Sequence, residues 1–300
     1  MNSKILEKAQ KIIDLRRYQN DEIAINNKIK ALKDKEFKNL FSLYMDKMLN
    51  EAKNGKKSSK ETLLLKKEVD EKLKELKLYP IEPIYTCKKC NDTGRINGQY
   101  CDCLKKELNK LLVEESGFNK LEDFDHISFN IFSNNKDKME KLYSKMKEWC
   151  HSNFEKNLIV LGGETGVGKT FLMKCMANEL IKRNKVVTLT TSFAMNQDFL
   201  KSYSTRDINE KDELLDKYLN AEILFIDDLG TELRQPGITV KYLYLILNER
   251  NINKRPTVIT TNLRLEDIND YYDERVASRM ADKQTSILIY LTGEDLRRKL

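Results

Sequence analysis

No apolar run in the chain approaches the roughly 18 to 20 residues that a membrane-spanning helix needs, and no charged-then-apolar leader opens it. These absences lead to the expectation of a soluble, cytoplasmic protein without a membrane partner. Charge of one sign is not in large excess: 54 Lys and Arg against 47 Asp and Glu leave a formal net charge of +7. That balance permits contact with nucleic acid without demanding it. No internal repeat or low-complexity tract is evident. Proline is missing from Asn2 to Leu78, and glycine occurs there once, at Gly55, so this stretch reads as helices.

The helical stretch has the expected periodicity. Ile5, Ala9, Ile12 and Ile13 form one stripe, Ile25, Ile29 and Leu32 a second, and Phe37, Leu40, Phe41, Tyr44 and Met48 continue it. Ser58 with Glu61 matches a capping box before Leu65, Val69, Leu73 and Leu76. About three helices are expected, either as a self-contained bundle or as a docking module with an apolar face to spare.

Only six cysteines occur, and in a reducing compartment their clustering points to a metal rather than to disulfides. Cys87-Lys-Lys-Cys90 and Cys101-Asp-Cys103 are two close pairs whose spacing suits tetrahedral Zn²⁺, although the second pair is C-x-C. Asn97-Gly98 between them is a preferred hairpin turn, with arms at Thr93 to Ile96 and Gln99 to Cys101 that bring the second pair back to the first. Cys150 and Cys175 read as core residues, and His126 and His151 as ordinary histidines. Leu104 to about Glu115 reads as a helix. Gly117 then opens a polar, extended connector through Asn135, and Asp137 to Asn153 is helical, with Met139, Leu142, Met146 and Trp149 on one face.

The most informative stretch follows. Gly163-Glu164-Thr165-Gly166-Val167-Gly168-Lys169-Thr170 lies between the apolar strand pattern 157–161 and the helical pattern 171–180, the order that a phosphate-binding loop requires. The glycines let backbone N–H groups approach phosphate, Lys169 reaches the β- and γ-phosphates, and the Thr170 hydroxyl is a Mg²⁺ ligand. Residues 185–190 read as a buried strand, and a helical stretch to Asn220 carries Phe193, Phe199 and Tyr203. The strand 221–226 ends in Asp227, suited to Mg²⁺, and Asp228, suited to activating water. A further strand, 256–261, ends at Asn262. Arg275 and Arg279 sit near the end of a short helix, from which one subunit could reach a neighbour's ATP. The alternation of strands and helices predicts a parallel sheet covered by helices on both faces.

Residues 124 to 299 resemble the AAA+ ATPases of the bacterial replicative helicase loader group (DnaC/DnaI-like), which includes the IstB-like transposition helpers. The resemblance rests on residues 163–170, 224–232, 247–250, 257–263 and 274–280, in the family's order and spacing. It implies an oligomeric ATPase using ATP and Mg²⁺, with Asn262 as sensor 1, Arg279 as arginine finger, Arg275 as its rival and Arg297 as sensor 2. Little helical lid and no helix-turn-helix segment are expected after it, unlike the origin-binding initiators of the DnaA type. A looser resemblance links residues 1 to about 115 to the helical, zinc-containing helicase-docking domain of Gram-positive loaders.

The expected fold class is therefore α/β: an AAA+ P-loop NTPase with a central parallel sheet, preceded by an α-helical domain with a small zinc-binding hairpin. Its divisions are expected as a helical region at 1–80, a zinc module and following helix at 81–116, a linker at 117–135 and the ATPase domain at 136–300. The implied function is loading of a hexameric replicative DNA helicase onto single-stranded DNA, with self-association through the ATPase domain and Lys201 and Arg206 as loose candidates for the strand. The competing readings are an IstB-like transposition helper on duplex DNA, a nucleotide-gated adaptor with negligible turnover, and a P-loop small-molecule kinase.

Overall fold

The computed structural model describes residues 3–298 apart from 56, 119 and 236. The chain divides into two compact units, one of residues 10–103 and one comprising the first turns of the chain with everything from Leu104 onwards.

The smaller unit holds most of α1 (Ser3–Ala31), then α2 (Lys35–Lys53), α3 (Lys60–Glu75) and a short hairpin of β1 (Arg95–Ile96) and β2 (Gln99–Tyr100). Asp34 starts α2 by accepting the Phe37 N–H at 2.8 Å. The start of α3 falls one residue later than the Ser58 capping box predicts. Ser59 Oγ accepts the Thr62 N–H, while the Glu51 carboxylate accepts the Ser59 N–H and the Thr62 hydroxyl, so the end of α2 completes the cap. Ala31, Phe37, Val69 and Leu73 form the buried core, with Leu40, Phe41 and Tyr44 packed against it. The expected stripe of Ile25, Ile29 and Leu32 is exposed instead, and the small side chains of Ala24 and Ala31 are the buried ones on that part of α1.

In the larger unit α4 (Asp102–Glu115) and α5 (Lys136–Cys150) lead into β3 (Leu158–Gly163), α6 (Lys169–Lys182) and β4 (Val187–Thr191). Next come α7 (Ser192–Ser204), α8 (Ile208–Leu219), β5 (Ile223–Leu229), α9 (Thr239–Ile252) and β6 (Thr257–Thr261). The last elements are α10 (Leu265–Tyr271), α11 (Glu274–Ala281) and β7 (Ser286–Leu291). All five strands run parallel in the order β4-β5-β6-β3-β7, as the alternation of elements predicts. Side chains alternate across the sheet, and both faces are covered. Ile159 and Leu161 pack with residues of α5 and α6, whereas Leu158 and Val160 pack with residues of α7, α8 and α9. The single helical stretch expected up to Asn220 is broken at residues 205–207, because the Asp207 carboxylate accepts the Asn209 and Glu210 N–H groups and starts α8.

Two further features differ from, or add to, the sequence reading. The stretch expected as a polar, extended connector, 117–135, is not extended: Phe118 and Phe124 are buried in the core, Phe129 and Phe132 pack against it, and Phe124–His126 and Phe129–Asn135 form 3-10 turns. Its aromatic residues give it apolar surface to bury. The guanidinium of Arg250, at the end of α9, is fully enclosed. It donates to Thr257 Oγ1 and to the carbonyls of Tyr218, Ala221 and Pro256, all at 2.7–2.9 Å.

Candidate functional site

The chain leaves β3 toward β4 at one edge of the sheet and leaves the neighbouring β6 toward β7 at the other, so the turn at the carboxyl end of β3 opens where the connections part. That turn is the glycine-rich loop. Gly163 has φ 145°, and a Cβ there would lie 2.3 Å from the Leu291 carbonyl oxygen, which explains why no side chain stands at this point. At Gly166, φ 84°, a Cβ would meet Asp295 Oδ1 at 1.9 Å. The loop backbone is thus pressed against the segment after β7, and the Leu296 N–H donates to the Gly166 carbonyl at 3.0 Å. Glu164 and Thr165 are exposed, while Val167 is buried in the core.

Gly168 caps α6, so the Lys169 side chain starts at the helix N-terminus. Its ammonium donates to the carbonyls of Gly163 (2.8 Å) and Glu164 (2.7 Å) and to Asn262 Oδ1 (2.7 Å). Burial pushes the Lys169 pKa down, and the nearby Asp228 and Asp227 oppose that shift. The Thr170 hydroxyl donates to Asp227 Oδ1 at 2.9 Å, and the same oxygen accepts the Thr260 hydroxyl at 2.5 Å. Asp227 is buried, and desolvation raises its pKa. A hydroxyl and a carboxylate in contact offer the hard oxygen donors that fit Mg²⁺.

Asp228 lies within a break in register between β5 and β6 and adopts φ 55°, a conformation uncommon for a non-glycine residue. Its N–H donates to Thr260 Oγ1 at 2.8 Å, and its carbonyl accepts the hydroxyls of Ser192 (2.7 Å) and Thr231 (2.8 Å). Asp228 and Asn262 thereby come to the cavity that also meets Lys169, Thr170 and Arg297. Arg297 Nε donates to Asp295 Oδ1 at 3.1 Å. Arg279 and Arg275 lie outside that cavity wall. Arg279 Nε donates to Asn248 Oδ1 at 3.0 Å, Arg275 is paired with Asp273, and both guanidinium groups lie over the Tyr244 ring. Lys201 is paired with Glu210, and Arg206 is exposed.

The cavity measures about 830 Å³, enough for a nucleotide. Much of its wall comes from residues that motif reading passes over: His126, Ile127, Ile131, Phe132 and Tyr143. A signal is present in the sequence, since Phe124, Ile127, Phe129 and Phe132 recur through a supposedly polar stretch, and Tyr143 lies one helical turn after Met139.

In the smaller unit the four thiols of Cys87, Cys90, Cys101 and Cys103 converge, every Sγ lying within 4.8 Å of the others. The Cys87–Cys101 and Cys90–Cys103 sulfur separations are 3.8 and 3.4 Å. Tetrahedral Zn–S bonds of about 2.3 Å place sulfurs about 3.8 Å apart, so the cluster is compatible with zinc. The hairpin turn at Asn97-Gly98 folds as expected and returns Cys101 to the first pair, its N–H donating to the Gly94 carbonyl at 2.9 Å. Asp92, fully buried, accepts the Thr86 and Cys87 N–H groups at 2.7 and 3.0 Å and the Arg16 guanidinium at 2.8 Å. It holds the first cysteine knuckle from behind. Cys150 and Cys175 are buried in the larger unit's core, as expected.

Comparison with known proteins bears on the larger unit. The model of the family described as IstB-like ATP binding protein matches residues 105–299. YqaM of Bacillus subtilis (strain 168) is 26% identical over 225 residues, which cover 71% of this chain and 70% of that protein. The replicative helicase loader DnaC of Escherichia coli (strain K12) is 28% identical over 146 residues, 46% of this chain and 56% of that one. Among solved structures, the crystal structure of DnaI superposes with a TM-score of 0.43 at 22% identity, covering 58% of this chain and 90% of that one.

Proposed function

Because the chain belongs to the IstB-like ATP binding protein family, we propose that it is an ATP-hydrolysing AAA+ protein that loads a hexameric replicative helicase onto single-stranded DNA. One observation carries the loader reading: the phosphate-loop unit is preceded by a separate helical unit with a four-cysteine cluster. The similarity to the replicative helicase loader DnaC supports it. In this reading the helical and zinc segments at 1–80 and 81–116 dock the helicase, and the ATPase domain at 136–300 assembles with its neighbours.

The proposed chemistry assigns each group a task. The N–H groups of the glycine loop and the α6 N-terminus hold the phosphates, and Lys169 exchanges its carbonyl and Asn262 partners for β- and γ-phosphate oxygens. Thr170 and Asp227 are the Mg²⁺ ligands, and the ion neutralises charge on the phosphates when bound. Asp228 accepts a proton from the attacking water, which Asn262 orients. Arg279 of one subunit, with Arg275 as rival, reaches the nucleotide of its neighbour, and Arg297 reads the γ-phosphate from the same subunit. ATP acts as a switch that closes the subunit junction, and hydrolysis opens it.

The test is native mass measurement of the full-length protein mixed with its host's hexameric replicative helicase, with ATP and without it. A stoichiometric complex supports the loader. The family's own description favours the transposition helper as second reading; no helicase complex, with ATP-dependent assembly on duplex DNA, moves the assignment there. Absence of turnover even with DNA and helicase present leaves a nucleotide-gated adaptor.

A further inference from the structure

Pairing between β5 and β6 is regular as far as the two acids and then loses step. Leu224, Phe225 and Ile226 lie opposite Thr257, Val258 and Ile259, and pairing resumes with Leu229 opposite Thr261. Asp227 and Asp228 therefore stand against Thr260 alone, a β-bulge with two residues of one strand facing one of the other. The extra residue changes which way the side chains point. Leu224 and Ile226 pack on the face covered by α7, α8 and α9, and strict alternation would send Asp228 after them; Leu229 takes that place instead. Both acids are thereby kept off that apolar face: Asp227 meets the Thr170 hydroxyl, and Asp228 borders the cavity.

A bulge leaves backbone groups without ladder partners, and here side chains supply them. The Asp228 N–H can only donate, so Thr260 Oγ1, 2.8 Å away, is its acceptor. The single hydrogen of that hydroxyl is left for Asp227 Oδ1, at 2.5 Å. One hydroxyl thus holds the backbone of one acid and the carboxylate of the other. Thr260 is fully buried, so neither partner turns to bulk water instead. The φ of 55° at Asp228 is a conformation that a non-glycine residue keeps where its surroundings hold it there. Motif reading singles out Asn262 in Thr260-Thr261-Asn262 and passes over the threonine two places before it.

We propose that Thr260 is a positioning residue for ATP hydrolysis: its hydroxyl closes the bulge and so aims Asp228 into the cavity, with Asp227 fixed beside it. The inference rests on the ATP site proposed above and deepens it. Thr260 is not part of the cavity wall and acts through the two acids. Its loss is felt in turnover more than in binding, because the glycine loop and Lys169 still hold the phosphates.

The test compares Thr260→Val, which keeps the side-chain shape and deletes the hydroxyl, with Thr260→Ser, which restores it, both in the full chain. Calorimetric titration gives the affinity and stoichiometry for MgATP, assays at saturating MgATP give kcat, and crystal structures give the Asp228 φ. Thr260→Val is expected to bind about one ATP per chain with affinity within about threefold of wild type, while kcat falls by about 10²-fold. Its Asp228 should leave the left-handed region. Thr260→Ser should recover the wild-type φ, and kcat to within about threefold. Undiminished kcat in the valine variant overturns the proposal, as does an Asp228 that stays where it is. So does a serine variant as slow as the valine, which makes packing of the methyl group the cause, or a loss of affinity as large as the loss of kcat. Should the valine variant not fold, Thr260→Ala, which sets no methyl group against the Asp227 carboxylate, takes its place in the same comparison. Failure of the ATP-site reading looks different: wild-type protein then binds no MgATP, or Lys169→Ala binds it as well as wild type does. Where wild-type protein binds ATP without turnover, the Asp228 conformation decides alone.

Discussion

Lys169 and Asn262 are joined directly, the ammonium donating to Oδ1 at 2.7 Å across the ends of the neighbouring strands β3 and β6. A lysine that binds phosphate from this position leaves some of its three oxygen acceptors, so Asn262 is released as the phosphate is gripped. The two substitutions therefore separate binding from chemistry. Lys169→Ala is expected to abolish measurable ATP binding. Asn262→Ala is expected to leave ATP affinity within a few-fold and slow turnover by about 10²-fold, the cost of a misplaced reacting group. Equilibrium binding and steady-state hydrolysis on the same preparations check both.

Asp227 gives a pH prediction. Its folded pKa is raised by burial above the roughly 3.9 of an exposed aspartate. The folded state then binds the proton more tightly than the unfolded state, so the contribution to stability is fully present below the unfolded pKa and is lost as pH rises through the folded one. An asparagine in place of Asp227 keeps the acceptor for Thr170 and Thr260 without the charge. In EDTA, Asp227→Asn should melt close to wild type near pH 4 and progressively above it toward pH 7, while Mg²⁺-dependent hydrolysis is lost. A Tm difference that stays constant across pH would contradict the expectation.

Arg279 is held by Asn248, outside the cavity of its own subunit. If it serves a neighbour, Arg279→Ala should lower turnover by about 10³-fold or more while its own ATP affinity stays unchanged. Mixing it with Asp228→Asn protein, inactive for another reason, should restore part of the activity, because some junctions then pair an intact finger with an intact acid. Mixtures no more active than the separate variants would give Arg279 a structural task; the same series on Arg275→Ala decides between the two.

The cysteine cluster should hold about one zinc per chain, measured by elemental analysis of protein purified without chelator. Asp92→Ala leaves the Arg16 guanidinium and two backbone N–H groups without their buried carboxylate. Breaking such a pair costs up to about 3–5 kcal/mol where both partners are buried, and less where one reaches solvent, as Arg16 does in part. The variant should therefore release zinc at a chelator concentration that wild type withstands. Zinc retention equal to wild type would show that the knuckle stands without Asp92.

Motifs with a local chemical logic are legible in the sequence: the glycine loop with its strand and helix, the acid-tipped strand, the four cysteines and the Asn97-Gly98 turn. Their geometry is dictated by neighbours in sequence. What stays hidden depends on distant partners. Ser59 rather than Ser58 caps α3 because Glu51, from the previous helix, supports it. Ala24 and Ala31 rather than the larger Ile25 and Ile29 face inward on α1, since the choice between two faces of an ambiguous helix is settled by packing. The strand β7, Ser286–Leu291, carries no chemical motif to mark it. The aromatic wall reads as connector because its charged and polar residues outnumber its phenylalanines.

The enclosed Arg250 guanidinium grips the chain just before β5 and just before β6, through the carbonyls of Tyr218, Ala221 and Pro256. These lie at the opposite end of the strands from Lys169, Asp227 and Asn262. The starts of β5 and β6 are therefore fixed to each other and to α9 through one side chain, at the margin of the sheet away from the rim where phosphate would sit.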